Sequence, residues 1–222
     1  MDIVSLLIIN IYNLNYLQKF IPYIHVLKNN EISKIKLIIY IIIIILNVTI
    51  FFSWVDSDVI LVNPNIKLET FLPNEKMDLI HLIVSNDYNG LNCGVFFIRV
   101  HPWSLNFIMR AYSYFYYHPE RYLLYADQSS INNVLTSSND TDDHYIIVPQ
   151  YWFNSYIGDK EKGEFLVHLA GKRDKSIIAR LFRLQIKSDP GWFTAMTSKD
   201  LRKKVLEYYE LPKEQQQKIH FQ

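Results

Sequence analysis

The chain has 222 residues, half of them hydrophobic, and a formal net charge of +1 at pH 7. This length and apolar content suit one folded domain and argue against a disordered chain. The balanced charge excludes the broad basic surface on which nucleic-acid binding depends. The single cysteine, Cys93, excludes a disulfide within the chain.

The first 30 residues do not specify one structure. Residues 3–9 form a short apolar run that lacks the basic flank and the small-residue cleavage site of a signal peptide. Both a strand and a remnant of a membrane anchor are compatible with this run. We therefore treat residues 1–30 as a separate N-terminal segment.

The following apolar segment has two interpretations. Residues 37–55 are almost wholly apolar and long enough for a transmembrane helix. Alternatively, residues 35–46 form a buried helix, and residues 49–55, rich in β-branched and aromatic side chains, form a buried parallel strand. The first interpretation predicts a single-pass membrane protein whose remaining part is a non-catalytic binding domain.

Two carboxylates follow this segment directly. Asp56 and Asp58 lie one residue apart, and residues i and i+2 of an extended chain point to the same face. Two adjacent carboxylates need a counter-charge, and a hard divalent cation with oxygen ligands supplies one. A solvated strand end is the alternative explanation when this motif is considered alone.

The rest of the chain alternates between strand and helix patterns, which predicts an α/β fold. Strands are expected at residues 79–84, 93–100, 145–148 and 165–169. The α/β domain is expected to occupy residues 31–187. A C-terminal helix and a polar tail then fill residues 188–222, and the tail from Lys213 is expected to fray.

Three helices are predicted from spacing and capping signals. The first covers residues 102–117, and its apolar stripe is expected to face the core. The members of this stripe are Leu105, Ile108, Tyr112 and Phe115. The second covers residues 128–135 after an N-cap at Asp127, and the third follows a capping box at residues 197–200. Residues 172–187 are basic and amphipathic.

Four segments, taken in order, resemble glycosyltransferase family 34, which contains fungal α-galactosyltransferases and α-mannosyltransferases and plant xyloglucan xylosyltransferases. The resemblance covers residues 35–182. The segments are Trp54-Val55-Asp56-Ser57-Asp58, residues 90–99 with Trp103-Ser104, Ala126-Asp127-Gln128-Ser129, and residues 148–156 with residues 165–171.

The resemblance implies a GT-A-like fold, a Rossmann-type sheet that binds a nucleotide sugar and a divalent metal. It also favours the helix-plus-strand interpretation of residues 37–55. The implied activity is metal-dependent transfer of galactose or mannose, from UDP-galactose or GDP-mannose to a glycan acceptor, with retention of configuration. The implied location is the Golgi membrane with a lumenal catalytic domain, with related glycosyltransferases as expected partners. Donor, linkage and acceptor depend on pocket shape, which the motifs do not specify.

The resemblance also assigns a metal site and a donor site. The metal would be Mn²⁺ or Mg²⁺, and neutral imidazole is a suitable ligand for Mn²⁺. The expected metal ligands are Asp56, Asp58 and His168. The expected donor-binding residues are Asn92, Gly94, Gly171 and Lys172. Lys172 departs from the family, which commonly has cysteine at this position.

The remaining assignments concern the reacting sugar and the acceptor. Asp127 and Gln128 are expected near the anomeric carbon, where Gln128 would support an oxocarbenium-like state electrostatically. Trp152, Phe153 and Asn154 are candidates for the acceptor groove, although core packing explains the two aromatic residues equally well.

The sheet is expected to be incomplete on its N-terminal side. Members of the family carry an anchor and the first βαβ elements, which hold the donor base, ahead of the Asp-x-Asp strand. Only residues 1–30 precede the matching region here. We therefore expect a chain that resembles a truncated member and transfers sugar weakly, unless residues 3–11 and 23–27 supply substitute strands.

Overall fold

Strands and helices alternate along the computed structural model of this chain, which describes residues 8–11, 50–137 and 143–219. The larger sheet contains β1 (Ile8–Ile11), β2 (Ile50–Val55), β4 (Leu82–Asp87), β5 (Gly90–Arg99) and β6 (Tyr145–Val148). The smaller sheet contains β3 (Val59–Leu61), β7 (Ser155–Tyr156) and β8 (Leu166–His168). The helices are α1 (Pro102–Tyr117), α2 (Ala126–Thr136), α3 (Lys175–Ser188), α4 (Gly191–Thr194) and α5 (Ser198–Tyr209), with short 3-10 segments at Leu68–Phe71 and Gln150–Trp152.

The strand order of the larger sheet is β1-β2-β5-β4-β6, and that of the smaller sheet is β3-β8-β7. Mixed sheets combined with helices confirm the predicted α/β class. The predicted parallel pairing of residues 49–55 is wrong, because β2 runs antiparallel to both β1 and β5. An apolar strand pattern does not depend on the direction of the neighbouring strand, and the tight β4–β5 hairpin fixes the direction of β5.

The larger sheet separates two apolar layers, because alternate residues of each strand point to opposite faces. One layer joins the sheet to the aromatic side chains around Phe71 and to α5, and the other joins it to α1 and α2. The first layer contains Ile83, Phe97, Ile146, Phe71, Val205 and Tyr209. The second contains Leu82, Val84, Ile98, Phe107 and Val134. The predicted C-terminal helix, α5, thus packs in the same core as the sheet.

The helix predicted at residues 102–117 is confirmed, but its predicted apolar stripe does not face the core. Tyr112 and Phe115 are 87% and 68% exposed. The buried side of α1 instead contains Phe107, Ala111 and Tyr114. Apolar residues recur at helical spacing on both sides of this helix, so periodicity alone does not identify the buried one.

The predicted N-cap of the second helix is also corrected. Helix α2 begins at Ala126, with Tyr125 as the N-cap residue. Asp127 therefore lies in the first helical turn, where a carboxylate interacts favourably with the helix dipole. The side chain of Ser129 accepts a hydrogen bond from the Tyr125 backbone N–H at 3.0 Å. Asp127 Oδ1 accepts one from the Gln128 backbone N–H at 2.8 Å, so its carboxylate pairs with a first-turn N–H although Asp127 is not the N-cap residue.

The segment with two interpretations is described only in part. Residues 50–55 form strand β2, as the helix-plus-strand interpretation predicts, whereas residues 37–49 lie outside the described residues. Within the described part, no helix combines the length and the apolar content that crossing a membrane requires. Residues 8–11 form strand β1 beside β2, and residues 23–27 lie outside the described residues.

In the described part of the C-terminal tail, which extends to Ile219, residue contacts show that the prediction of fraying from Lys213 is wrong. Gln217 forms a β-bridge with Ile147 of β6, and its backbone N–H donates to the Tyr208 hydroxyl at 2.7 Å. The capping box before α5 is confirmed, since the Thr197 hydroxyl accepts from the Asp200 backbone N–H at 3.2 Å.

Candidate metal centre

Asp56 and Asp58 lie in the turn that connects β2 to β3. The backbone N–H of Asp56 donates to the Gly94 carbonyl at 2.9 Å, which ties the start of the turn to β5. The Asp58 carbonyl accepts from the Leu169 N–H at 3.0 Å, which ties its end to the residue after β8. The two carboxylates are therefore positioned between the two sheets.

His168 completes a group of three candidate ligands. It ends β8 and lies opposite Val59 in the antiparallel pairing of β3 and β8. Its Nε2 atom lies 3.3 Å from Asp58 Oδ1 and 4.0 Å from Asp56 Oδ2. One ligand atom from each of these side chains fits within 4.8 Å of the others. The structure thus brings together the three predicted metal ligands.

The chemistry of this donor set fits a divalent cation of the Mn²⁺ or Mg²⁺ type. Carboxylate oxygens suit both ions, and an imidazole nitrogen favours the transition metal. The imidazole of His168, and then the Lys175 ammonium, hold the pKa of Asp58 well below its usual range. Burial raises the pKa of Asp56, although the Trp54 indole N–H donates to its Oδ1 at 3.0 Å. A bound cation would relieve this unfavourable burial of charge.

A lysine not predicted for the site contacts it. Lys175 Nζ lies 2.7 Å from Asp58 Oδ2. Its position at the start of α3 brings it back toward the carboxylates, and the basic composition of residues 172–187 gave no indication of this turn. The predicted Lys172 is exposed, and its backbone N–H closes a turn with the Leu169 carbonyl. Gly171 has a φ of +68°, a conformation that glycine adopts without strain.

Asn92 and Gly94 lie near the start of β5, and Gly94 packs against the His168 imidazole. Asn92 Nδ2 donates to Asp87 Oδ2 at 2.9 Å and to the Tyr156 hydroxyl at 2.6 Å. Asn92 Oδ1 accepts from the Gly94 N–H and from Asn154 Nδ2, each at 2.9 Å. All four hydrogen-bonding positions of this amide are thus used within the protein. Contact of Asn92 with the donor sugar stays a prediction.

Asp127 and Gln128 lie across β5 from the carboxylates. Gln128 Oε1 accepts from the Cys93 backbone N–H at 3.2 Å, so the first turn of α2 is attached to β5. The Asp127 carboxylate is exposed, and its charge contributes to the raised pKa of Asp56. The predicted position of Asp127 and Gln128 near the anomeric carbon stays a prediction.

The three candidates for an acceptor groove are all buried. Trp152 and Phe153 are 1% and 0% exposed and belong to the core. Asn154 is also completely buried, and its Oδ1 lies 2.9 Å from His168 Nδ1. Its expected place in the groove is therefore wrong. Side-chain contacts between distant elements produce this arrangement, and the local sequence contains no signal for it.

An open groove lies instead between α1 and the sheet. It has a volume of about 830 Å³ and includes Trp54, Phe96, Tyr112 and Phe115, with Asp127 also in its lining. Trp54 and Phe96 stack with 6.1 Å between their ring centroids. The exposed aromatic side chains of α1 thus line a surface next to the candidate site rather than the core.

Comparison with known proteins finds a family model that matches the central part of the chain. Residues 72–176 match the model of the galactosyl transferase GMA12/MNN10 family. This match confirms the predicted resemblance and the glycosyltransferase class for that segment. It includes Asn92, Gly94, Asp127, Gln128 and His168. Asp56 and Asp58 precede the matched segment and are connected to it by their contacts with His168 and with Gly94.

One similar solved structure is a glycosyltransferase involved in the glycosylation of the major capsid of PBCV-1. The identity is 19% and the TM-score is 0.46. The match covers 60% of this chain and 66% of the other, slightly less than two thirds of that chain's length. A search among curated proteins finds no significant match.

Proposed function

We propose that this chain is a metal-dependent retaining glycosyltransferase that transfers galactose or mannose from a nucleotide sugar to a glycan acceptor. The observation that carries the proposal is the convergence of Asp56, Asp58 and His168 beside a segment that matches a galactosyl transferase family. UDP-galactose and GDP-mannose are the proposed donors. Retention of configuration follows from the family resemblance.

The three side chains would hold Mn²⁺ or Mg²⁺, which as a Lewis acid would neutralise the diphosphate leaving group. The Lys175 ammonium lies beside Asp58 and can interact with the same negative charge. Gly171 leaves room for a close approach to phosphate, because no atom lies within 4 Å of the position that a Cβ would occupy. Lys172 remains a proposed diphosphate contact.

On the other side of β5, Gln128 and Asp127 are the proposed groups near the anomeric carbon. A glutamine is a poor nucleophile, so Gln128 would act by orienting its amide dipole toward an oxocarbenium-like state. The Asp127 carboxylate accepts a hydrogen bond from the Gln128 backbone N–H through Oδ1, and it also lines the groove. It can therefore orient an acceptor hydroxyl or stabilise positive charge.

The location and the partners belong to the same proposal. By resemblance, the protein would be associated with the Golgi membrane, with its catalytic domain in the lumen, and would act together with related glycosyltransferases. The alternative is a single-pass membrane protein with a non-catalytic binding domain. A chain of this kind would neither consume a donor nor bind Mn²⁺ at Asp58.

The test is consumption of nucleotide sugar by the purified full chain with Mn²⁺, using a donor panel that includes UDP-galactose and GDP-mannose. We expect Asp58→Asn to lower turnover by at least about 100-fold, because the metal loses a ligand that stabilises charge in the transition state. The matched control is Asp143→Asn, which removes an exposed carboxylate paired with Lys213. Equal turnover in wild type and Asp58→Asn would reject the metal role, and no turnover with any donor would favour the alternative.

A further inference from the structure

The imidazole of His168 is held from two sides. Nε2 lies 3.3 Å from Asp58 Oδ1, and Nδ1 lies 2.9 Å from Asn154 Oδ1. His168 and Asn154 are both buried, so water does not freely replace the partner of Nδ1. The ring orientation that directs Nε2 toward the carboxylates therefore depends on the group that binds Nδ1.

The surrounding hydrogen bonds determine which amide atom of Asn154 faces the imidazole. A backbone N–H can only donate, so the Asn92 atom 2.9 Å from the Gly94 N–H is the oxygen Oδ1. Asn154 Nδ2 donates to this same oxygen at 2.9 Å and to Ser85 Oγ at 3.0 Å. Reversing the Asn154 amide would place two oxygens against each other. Asn154 Oδ1 must therefore accept a hydrogen bond from a protonated His168 Nδ1.

The far end of this network is fixed by a carboxylate. Asp87 accepts from Asn92 Nδ2 and from the Tyr156 hydroxyl. Since a carboxylate can only accept, the nitrogen of the Asn92 amide must point to this side, which agrees with the orientation deduced from Gly94. Burial, and next the hydrogen bond to Asp87, raise the pKa of the Tyr156 hydroxyl. This hydroxyl thus stays a donor.

Gly94 also provides the space that the imidazole occupies. A Cβ atom at this position would lie 2.2 Å from His168 Cε1 and 2.7 Å from His168 Nδ1. These distances are far below van der Waals contact, so a side chain here would displace the ring. The glycine and the two asparagines together define one position for His168.

We propose that Asn154 is a positioning residue that holds His168 in the Nδ1-protonated tautomer and leaves Nε2 for a divalent cation shared with Asp56 and Asp58. The inference rests on the proposed metal-dependent function and adds a residue that contacts neither the cation nor the donor. Outer partners of this kind orient metal-binding histidines, and losing one typically costs 10- to 100-fold in metal affinity.

The experiment measures Mn²⁺ affinity of the full chain by isothermal titration calorimetry. Asn154→Leu removes the acceptor at Nδ1, and we expect it to weaken Mn²⁺ binding by about 10- to 100-fold. Asn154→Asp keeps an acceptor oxygen for Nδ1 but places its second oxygen against Asn92 Oδ1, so we expect it to recover only part of this loss. The matched control is Asn63→Leu, since Asn63 is also completely buried but donates to the Gly163 and Met196 carbonyls.

The outcomes separate this inference from the function on which it rests. Equal Mn²⁺ affinity in wild type and Asn154→Leu, or an equal loss in Asn154→Leu and Asn63→Leu, overturns the positioning role and leaves the metal site in place. Absence of Mn²⁺ binding in the wild-type chain overturns both. If Asn154→Leu does not fold, ¹⁵N NMR of the Zn²⁺-loaded wild-type chain decides. A proton on His168 Nδ1 supports the proposal, and a proton on Nε2 overturns it.

Discussion

Only glycine fits at position 94, because the His168 imidazole occupies the space that a Cβ atom would need. We expect Gly94→Ala to shift this ring and to lower Mn²⁺ affinity by about 10- to 100-fold. Crowding in the packed interior should also lower the free energy of unfolding by about 1 to 3 kcal/mol. Calorimetry of Mn²⁺ binding and urea denaturation measure the two effects.

Gly158 provides the control for this substitution. No atom lies within 4 Å of the position of a Cβ there, so Gly158→Ala should change neither the Mn²⁺ affinity nor the packing. An unchanged Mn²⁺ affinity in Gly94→Ala would show that His168 does not need the position seen in the structure.

The second residue-scale prediction concerns the two lysines near the candidate site. Lys175 neutralises Asp58, so a metal cation must compete with an ammonium group already present. Because the Lys175–Asp58 pair is partly exposed, solvent screening limits its interaction free energy to about 1 kcal/mol. In the absence of nucleotide, Lys175→Gln should therefore raise Mn²⁺ affinity by about fivefold. Lys172→Gln should leave it unchanged, and an equal increase in both variants would contradict the specific pairing with Asp58.

At the scale of single elements, α1 has two apolar sides with different roles. Phe107 is buried and stacks on Trp103 with 5.1 Å between the ring centroids. We expect Phe107→Ala to lower the free energy of unfolding by about 3 to 5 kcal/mol, because it leaves a cavity in the core. Tyr112 is mostly exposed, and Tyr112→Ala should change the free energy of unfolding by less than about 0.5 kcal/mol. Chemical denaturation of both variants measures this contrast, and a similar loss in the two would show that α1 is buried on both sides.

The same helix illustrates what the sequence could predict about the fold. Its bounds follow from the proline at its start and from apolar spacing, and β6 likewise has the predicted bounds. The buried side of α1 could not be chosen, because both sides carry aromatic residues. The orientation of β2 could not be chosen either, since its apolar residues are compatible with a parallel or an antiparallel neighbour.

The candidate site was predictable to a similar extent. Asp56, Asp58 and His168 were predicted through the order of motifs, and the structure places their ligand atoms together. Asn154 and Lys175 were not predicted as contacts of these residues. Asn154 follows the 3-10 segment Gln150–Trp152, and Lys175 begins α3. Their contacts depend on how these two parts of the chain pack against the sheets, and such long-range geometry has no local sequence pattern.

At the scale of the whole molecule, three stacked histidines, His81, His101 and His144, lie at one end of the larger sheet. The His81 ring stacks on His101 and on His144, with centroids 3.9 Å and 4.9 Å apart. Burial, followed by the nearby His101, Arg99 and His144, lowers the pKa of His81 to about 3. Burial also lowers the pKa of His101. The folded state therefore disfavours the charged forms of His81 and His101.

The last prediction is that this histidine group weakens the fold in acid. The ordinary pKa of histidine is 6.5, so between pH 6.5 and pH 3 the unfolded chain binds a proton that the folded chain does not bind at His81. The free energy of unfolding thus falls as the pH falls through this window.

A buried carboxyl group has the opposite effect on stability. Burial raises the pKa of Glu164 to about 7, so its contribution to the free energy of unfolding increases as the pH falls from 7 to 4.5. The effect of His81 must therefore be measured as a difference between variants. Relative to His81→Phe, wild type should lose about 3 kcal/mol between pH 6.5 and pH 4 in urea denaturation. The control His118→Phe changes an exposed histidine and should follow wild type, whereas identical pH dependence of wild type and His81→Phe would contradict an uncharged, buried His81.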